Sequence, residues 1–189
     1  MILGLDISTS CTGYCIFDES GSLIDMGAIE LSKKKDVFEK ASHVKSELLN
    51  IIVKFPIKQI CIEENLQAFR PGLSSAKTLL TLARFNGIVS YISKEVFEIS
   101  PGFINVNVAR KTAGLKVKRA STCGITTKDQ VLKWVQDDIS KNNQKFLWPL
   151  KTMKSGPRKG QTVLDVSSYD MADAYILCTA CVKNNKKIP

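Results

Sequence analysis

Apolar residues in the opening part of the chain come in short runs that end at polar turns. Residues 2–5 lead into Asp6, a turn rich in Ser and Thr follows, and residues 11–17 read CTGYCIF. The turn residues of 18–21 separate this run from a third one at 23–31, which predicts two adjacent β-hairpins. Asp6 therefore ends a buried strand, where an unpaired charge costs several kcal/mol.

Helical spacing and a second acid-ended strand follow. Residues 37–55 carry apolar side chains three or four positions apart, which predicts a helix ended by the proline that follows. The same spacing predicts a second helix over 74–92. Between the two helices, residues 58–64 read KQICIEE, a short strand that runs into Glu63 and Glu64. Two predicted strands thus end in carboxylates.

The middle of the chain is less regular. Residues 96–99 and 103–106 predict a strand broken by a Pro-Gly pair, and a short helix from Asn107 leads into a basic loop. Thr127 and Gln130 have the spacing of a capping box, in which two side chains satisfy free amides where a helix begins.

The end of the chain holds one strong helical signal. Residues 140–166 lack periodicity and are predicted to be a flexible insertion. A helix then begins at Ser167 or Ser168 and is apolar almost all round, which predicts burial. The Lys-rich tail, 183–189, is expected to fray. Neither a repeat nor a domain boundary is visible, so residues 1–189 are interpreted as a single domain.

The charge balance indicates an anionic partner. Lys and Arg number 27 against 18 Asp and Glu, a formal net charge of +9. No basic amphipathic helix with a strong apolar face stands out, which favours nucleic acid over a membrane surface. No apolar run approaches the roughly 20 residues that span a bilayer, and no leader peptide is apparent. We therefore expect a cytoplasmic protein without a membrane partner.

Cysteine and histidine usage excludes several kinds of site. The six cysteines lie mostly inside apolar runs, so all six are expected to be thiols in a reducing compartment. The pair Cys178-x-x-Cys181 has no second such pair, and the chain has one histidine, which disfavours zinc. The single histidine also disfavours Ser-His and Cys-His catalysis.

Two further acids lie on the last predicted helix. Asp170 and Asp173 are three residues apart and therefore share a helix face near the first turn. A capping box of Ser167 and Asp170 explains the first acid in purely structural terms. It leaves Asp173 unexplained, because that residue lies between two alanines on a helix with little polar surface.

Topology can bring all four acids together. If the strands before Asp6 and Glu63 are parallel neighbours joined by a helical crossover, the two carboxylates end side by side. A last helix packed over that end adds Asp170 and Asp173. Each pair of like charges at about 4 Å repels by about 4 kcal/mol at an effective dielectric near 20. Only divalent cations make such a cluster stable.

The ligand chemistry favours Mg²⁺, with Mn²⁺ as a substitute, because oxygen-only sites select these ions over zinc. Two such ions can activate a water molecule and stabilise the leaving oxygen of a phosphodiester. Whether Glu64 or Asp165 assists the site is left open by the sequence.

At this point the sequence resembles a known family, the RuvC Holliday-junction resolvases of the RNase H-like superfamily. The matching residues are ILGLD at 2–6 with Ser8, TGY at 12–14, IE at 62–63, parts of the helix over 75–87, and DMADA at 170–174. The resemblance implies an α/β fold of the RNase H-like type, with a mixed five-stranded sheet flanked by helices. It also implies that the metal ligands and catalytic residues are Asp6, Glu63, Asp170 and Asp173.

The same resemblance implies a substrate and an assembly. The implied activity is the resolution of four-way DNA junctions by paired symmetric nicks, carried out by a homodimer with Mg²⁺. The basic residues implied to contact DNA are Arg110, Lys111, Lys116, Lys118 and Lys128. In the loop after Glu63, Leu66 stands where family members place a stacking aromatic. Phe69 is the nearest substitute, with Arg70 beside it, and the alternative is a loop aromatic tucked into the core.

Two departures suggest a distant branch of the family. Ile7-Ser8 replaces the Pro-Gly of bacterial members, and the segment 140–166 is longer than its bacterial counterpart. These differences suggest a phage, viral or organellar origin, with action in a host cytoplasm or an organellar matrix.

Three rival functions are considered. The same fold can act on flaps, R-loops or RNA:DNA hybrids, which the sequence separates poorly from junctions. A junction-binding protein without catalysis is disfavoured because all four acids are present. An actin-like or sugar-kinase phosphotransferase also begins with a strand, an aspartate and Ser/Thr, but it needs two domains and a Gly-rich loop that 189 residues cannot supply.

Overall fold

The predicted hairpins and the strand before Glu63 belong to one sheet. The computed structural model of the chain describes residues 1–64 and 75–185. The strands of the main sheet are β1 (Ile2–Ile7), β2 (Cys11–Phe17), β3 (Leu23–Glu30), β4 (Gln59–Glu63) and β5 (Gly102–Ile104), in the order β3-β2-β1-β4-β5. The first three pair antiparallel as two hairpins, whereas β4 is parallel to both β1 and β5. The predicted parallel neighbours are confirmed.

Helices cover both faces of this sheet. They are α1 (Val37–Lys54), α2 (Ala76–Phe97), α3 (Val106–Ala113), α4 (Ala120–Cys123), α5 (Thr127–Lys141) and α6 (Ser167–Asn185). The side chain of Asp36 accepts hydrogen bonds from two amides where α1 begins, and that of Ser75 does the same for one amide of α2. Among the described residues, no helix is long and apolar enough to cross a membrane.

Alternation along the strands divides the core into two layers. Leu3, Leu5 and Ile62 belong to the layer that α1 and α2 cover, with other buried residues such as Leu48 and Phe85. Their neighbours on the opposite face pack in the layer formed with α3, α5 and α6. Because α6 is covered by the sheet on one side and by α3 and α5 on the other, its apolar character all round is explained.

Two glycines let α6 lie directly on the strands. A Cβ atom added to Gly4 would lie 2.6 Å from the carbonyl oxygen of Ala174, and one added to Gly13 would overlap the carbonyl group of Asp170. Real Cβ atoms do not approach backbone this closely. The glycines therefore set the distance between the sheet and the helix that carries two of the acids.

Several sequence predictions are wrong at element boundaries. Residues 96 and 97 continue α2, which ends at Glu98 in the left-handed region (φ 58°), so the fifth strand is only three residues long. The cap of α5 is Thr126 rather than Thr127, and its side chain accepts from the amide of Asp129 at 3.1 Å. Gln130 bonds instead to the preceding loop, at the backbone of Lys118 and Ile125.

The helix α6 begins at Ser167 as predicted, but its capping differs from the prediction. The side chain of Asp165 accepts from the amide of Ser167 at 2.9 Å, in place of the predicted capping box of Ser167 and Asp170. This bond holds the pKa of Asp165 below its usual value. Asp170 is thereby left without the structural explanation that the sequence offered.

One pair of cysteines is not reduced. Cys61 of β4 and Cys181 of α6 form a disulfide with their Cα atoms 6.9 Å apart, so the prediction of six thiols is wrong for these two. The pair is separated by 120 residues and meets because α6 packs on β4, which no local pattern reveals. Cys11, Cys15, Cys123 and Cys178 are free.

The segment predicted to be an insertion contains a second, small sheet. β6 (Leu150–Thr152) and β7 (Thr162–Leu164) pair antiparallel, and we call them with the turn between them the 150–164 hairpin. Before it, Phe146 and Trp148 pack edge to face at 5.2 Å and contact the core. Residues 183–185 of the predicted tail belong to α6, and residues 186–189 lie outside the described chain.

Substituting Gly13 by alanine should disturb the seating of α6. The new methyl group meets the backbone of Asp170, which cannot rotate away, so the free energy of unfolding should fall by at least about 2 kcal/mol. Chemical denaturation measures this change. Gly102→Ala is the control, because its new methyl group would lie 3.8 Å from the backbone oxygen of Ile60 and its effect should stay within about 0.5 kcal/mol. Equal effects of the two substitutions would contradict the packing argument.

Candidate active site

Strand register brings the first two acids to one edge of the sheet. Asp6 is the last residue but one of β1, and Glu63 is the last residue of β4. Leu5 lies opposite Ile62 in the parallel pair, so the residues that follow them stand at the same level. Asp170 and Asp173 lie in the first turns of α6, which packs across β1 and β2. The four acids therefore meet as the sequence predicted.

Burial and mutual repulsion raise the pKa of Asp6 well above its usual value. Loss of solvation is the largest cause, followed by the charges of Asp173, Glu63 and Asp170. The pKa of Glu63 is raised to about 7, first by burial and then by the charge of Asp173. The guanidinium of Arg110, and after it the neighbouring carboxyl group of Asp6, oppose this rise.

The helix acids have a mixed environment. Burial raises the pKa of Asp173, while the guanidinium of Arg110 opposes the rise. Nη2 of Arg110 donates to Oδ1 of Asp173 at 3.1 Å, and both side chains are more than four-fifths buried. Burial likewise raises the pKa of Asp170, and the neighbouring Cys11 thiol opposes that rise. Burial, and after it the Asp170 carboxylate, raise the pKa of the Cys11 thiol, which disfavours its nucleophilic thiolate form.

A second cation faces the cluster from the first turn of α5. Lys128 is exposed, and its Nζ lies 5.7 Å from the ring centroid of Tyr169. Its charge lowers the pKa of Asp6, Asp170 and Asp173. Tyr169 itself donates to Asp129 at 2.7 Å, which fixes the ring beneath the lysine.

The donor set fits a hard divalent cation, although the side chains do not form a ready-made cage. Within residues 1–64 and 75–185, no three His, Cys, Asp or Glu side chains are already grouped to hold a metal ion. The four carboxylates nevertheless offer only oxygen atoms, and the cations of the described residues that lower their pKa values are Arg110 and Lys128. Protonation and Arg110 balance the acids in this arrangement, and a divalent ion would do so with all of them ionised.

One functional candidate escaped the sequence. A cavity of about 120 Å³ beside Asp6 and Glu63 is lined on its other wall by α2, including the buried Asn86. Nδ2 of Asn86 donates to the backbone oxygen of Glu63 at 3.2 Å, and its Oδ1 accepts from Ser90 at 3.2 Å. Asn86 therefore fixes the end of β4. A polar residue on the apolar face of α2 was the available signal.

The remaining predicted site residues are scattered or outside the described chain. Lys111, Lys116 and Lys118 are exposed on α3 and the loop that follows it. Glu64 lines the cavity beside Asp6, whereas Asp165 is engaged where α6 begins. Phe69 and Arg70 lie in residues 65–74, outside the described part of the chain.

Comparison with known proteins identifies the fold. No family model matches the chain. A curated relative, the crossover junction endodeoxyribonuclease RuvC of Ehrlichia ruminantium (strain Welgevonden), is 34% identical over 89 residues, which is 44% of this chain. The aligned stretch spans only about half of that relative, 54% of its length.

Solved structures extend the likeness to nearly the whole chain. Thermus thermophilus RuvC in complex with a Holliday junction substrate has a TM-score of 0.64 at 12% identity, covering 99% of this chain and 95% of that one. The yeast mitochondrial Holliday junction resolvase Ydc2 has a TM-score of 0.51 at 13% identity, covering 96% and 77%. The predicted RuvC resemblance and RNase H-like fold class are confirmed, whereas the origin of the chain stays a prediction.

The metal-free protein should lose stability as the pH rises. The pKa of Glu63 is about 7 in the folded chain against an ordinary 4.5, so the protonated form favours folding. This stabilisation is complete below about pH 4.5 and is lost as the pH rises through about 7, on the order of 3 kcal/mol for Glu63 alone. Thermal unfolding in the presence of a chelator, between about pH 4.5 and 8, measures the decline.

A neutral variant is the control for this prediction. Glu63→Gln cannot ionise and should lose much of the decline, and Mg²⁺ should stabilise the wild type more at high pH than at low pH. An identical pH profile in the variant would contradict the assignment of Glu63.

Proposed function

We propose that this chain is a structure-selective DNA endonuclease that resolves four-way junctions by paired symmetric nicks. The observation that carries the proposal is the meeting of Asp6, Glu63, Asp170 and Asp173 at one buried edge of the sheet. Such a cluster has no structural purpose, because each buried like-charged pair is unfavourable. The likeness to RuvC in fold, and over 89 residues in sequence, supports junction DNA as the substrate.

The acids of the site would hold a cofactor, and the neighbouring cations would orient an acid or contact DNA. Asp6 and Glu63 from the sheet, with Asp170 and Asp173 from α6, would hold Mg²⁺, or Mn²⁺ in its place. When bound, the metal ions supply an activated water and stabilise the leaving oxygen of the phosphodiester. Arg110 opposes the effect of burial on the pKa of Asp173 and orients that carboxyl group through its hydrogen bond. Lys128 stands at the exposed margin, where a DNA phosphate would approach.

Removing one charge from the cluster should separate binding from cleavage. Asp6→Asn preserves size and removes a metal ligand, so junction cleavage should fall by at least about 1,000-fold while junction affinity changes little. Gel assays with four-way junction, flap and RNA:DNA hybrid substrates measure both properties in one preparation. Glu95→Gln removes an exposed acid of α2 and serves as the control.

The outcome on the three substrates decides between functions. Preferred cleavage of the junction supports a resolvase, and preferred cleavage of the flap or hybrid would replace it with a nuclease of the same fold. Full activity of Asp6→Asn would contradict the metal site.

Paired nicks require two active sites related by a two-fold axis, so we propose a homodimer. An exposed stripe on α2 supports this assembly: Leu80 and Tyr91 are 72% and 62% exposed, and the small residues Ala83 and Gly87 lie between them. Nothing lies within 4 Å of a Cβ atom added to Gly87, so the stripe leaves room for a close partner. Exposed apolar residues in helical register are typical of interfaces.

Charges placed on this stripe should produce monomers. Leu80→Glu with Tyr91→Glu would bury two unpaired carboxylates in a dimer interface, so sedimentation should show a monomer. In a cleavage assay this monomer should nick one strand at a time. Val53→Glu alters a residue of α1 that is 86% exposed, and that variant should remain dimeric. A wild-type chain that stays monomeric with and without junction DNA would contradict the dimer.

A further inference from the structure

A wide groove leads away from the acid cluster on the side of the 150–164 hairpin. Its volume is about 920 Å³, and Asp170 and Cys11 line its inner end. One rim is the turn after β3, with Lys33 and Lys34, and the other is the base of the hairpin, with Lys151. Lys128 also lines it, so the groove and the candidate active site share a margin. We call it the lysine groove.

Both rims carry positive charge that continues beyond the groove. The turn reads SKKK at 32–35, and the segment 150–164 reads LKTMKSGPRKGQTVL, which contains four basic residues and no acid. Glu30 and Asp165 also line the groove, but the carboxylate of Asp165 is engaged by the amide of Ser167. Both rims therefore carry lysines, and the acids that line the groove are Glu30, Asp165 and Asp170.

The rim cations form no ion pairs with other described residues. The ion pairs formed among the described residues are Lys58–Glu19, Arg110–Asp173 and Lys133–Asp137, and none involves a rim residue. Lys33, Lys151, Lys154, Arg158 and Lys159 are all exposed. Holding several like charges around one groove costs free energy, which a polyanion in the groove would recover.

We propose that the lysine groove carries the phosphates of the DNA arm that leads into the acid cluster, with the 150–164 hairpin as one side of the clamp. The argument rests on the proposed action on DNA, but not on the choice of junction as substrate. A regularly spaced polyanion fits a groove with cations on both rims. A protein partner fits the groove less well. The rim cations lie on both sides of the groove, whereas an acidic patch on a protein would pair with one surface.

Salt dependence tests the proposal through each rim separately. The variants are Lys33→Gln with Lys34→Gln on the turn and Lys151→Gln with Lys154→Gln on the hairpin. The control is Lys54→Gln with Lys94→Gln, two lysines in the last turns of α1 and α2, helices that run away from the acid edge. Affinity for a four-way junction is measured against salt concentration in a chelator, where cleavage does not interfere.

Each rim variant should bind the junction about tenfold more weakly, and its slope of log affinity against log salt should be shallower by roughly 1 to 2, one phosphate contact being worth about 0.9. The control should match the wild type. Truncating the junction arms should abolish the difference between the wild type and the rim variants, because the arm is what the groove holds. Circular dichroism verifies that the variants fold.

The outcomes separate this inference from the proposed function. Unchanged affinity and slope in either rim variant overturn the groove as a clamp, and junction cleavage by the wild type is unaffected by that result. A wild type that binds DNA without cutting junctions overturns the proposed function, while the slopes still decide the groove. A wild type that binds no DNA overturns both.

Discussion

Four carboxylates share one poorly solvated edge of the sheet and repel one another. The surrounding structure has to compensate this repulsion. Two ionised carboxylates about 4 Å apart repel by about 4 kcal/mol at an effective dielectric near 20. The chain compensates locally, with Arg110 bonded to Asp173 and with the charge of Lys128 beside the cluster. Neither device allows all four acids to be ionised together. Ionisation of all four acids would therefore need positive charge beyond that of Arg110 and Lys128.

The geometry of the cluster depends on backbone rather than on the acids themselves. Parallel pairing sets Asp6 level with Glu63, and Asn86 holds the backbone oxygen of Glu63. The absence of side chains at Gly4 and Gly13 lets α6 approach β1 and β2 closely enough to add its two aspartates. The site is built from three distant segments and keeps its arrangement because the backbone around it is closely packed.

Much of this could be predicted from local pattern, because strands that end in acid and an apolar helix with two acids are visible in the sequence. The parallel pairing of β1 and β4 followed from the helical crossover between them. Two long-range contacts were not predictable: Arg110 meets Asp173 across 63 residues, and Cys61 meets Cys181 across 120. Periodicity also failed where it is weakest, at the end of α2, since Val96 suits a helix or a strand equally.

Arg110 links the acids to the basic surface outside them. Its Nη2 is bonded to Asp173, but its Nε is buried and has no partner in the described part of the chain. An unsatisfied buried donor costs about 1 to 3 kcal/mol, so the guanidinium has unused capacity for an oxygen acceptor beside the cluster. A planar fork with several donors suits an acid on one side and a phosphate on the other, which a lysine at this position would not match. Together with the exposed Lys128, whose charge also lowers the pKa of Asp173, Arg110 gives the acids a positively charged border toward which a phosphodiester would be attracted.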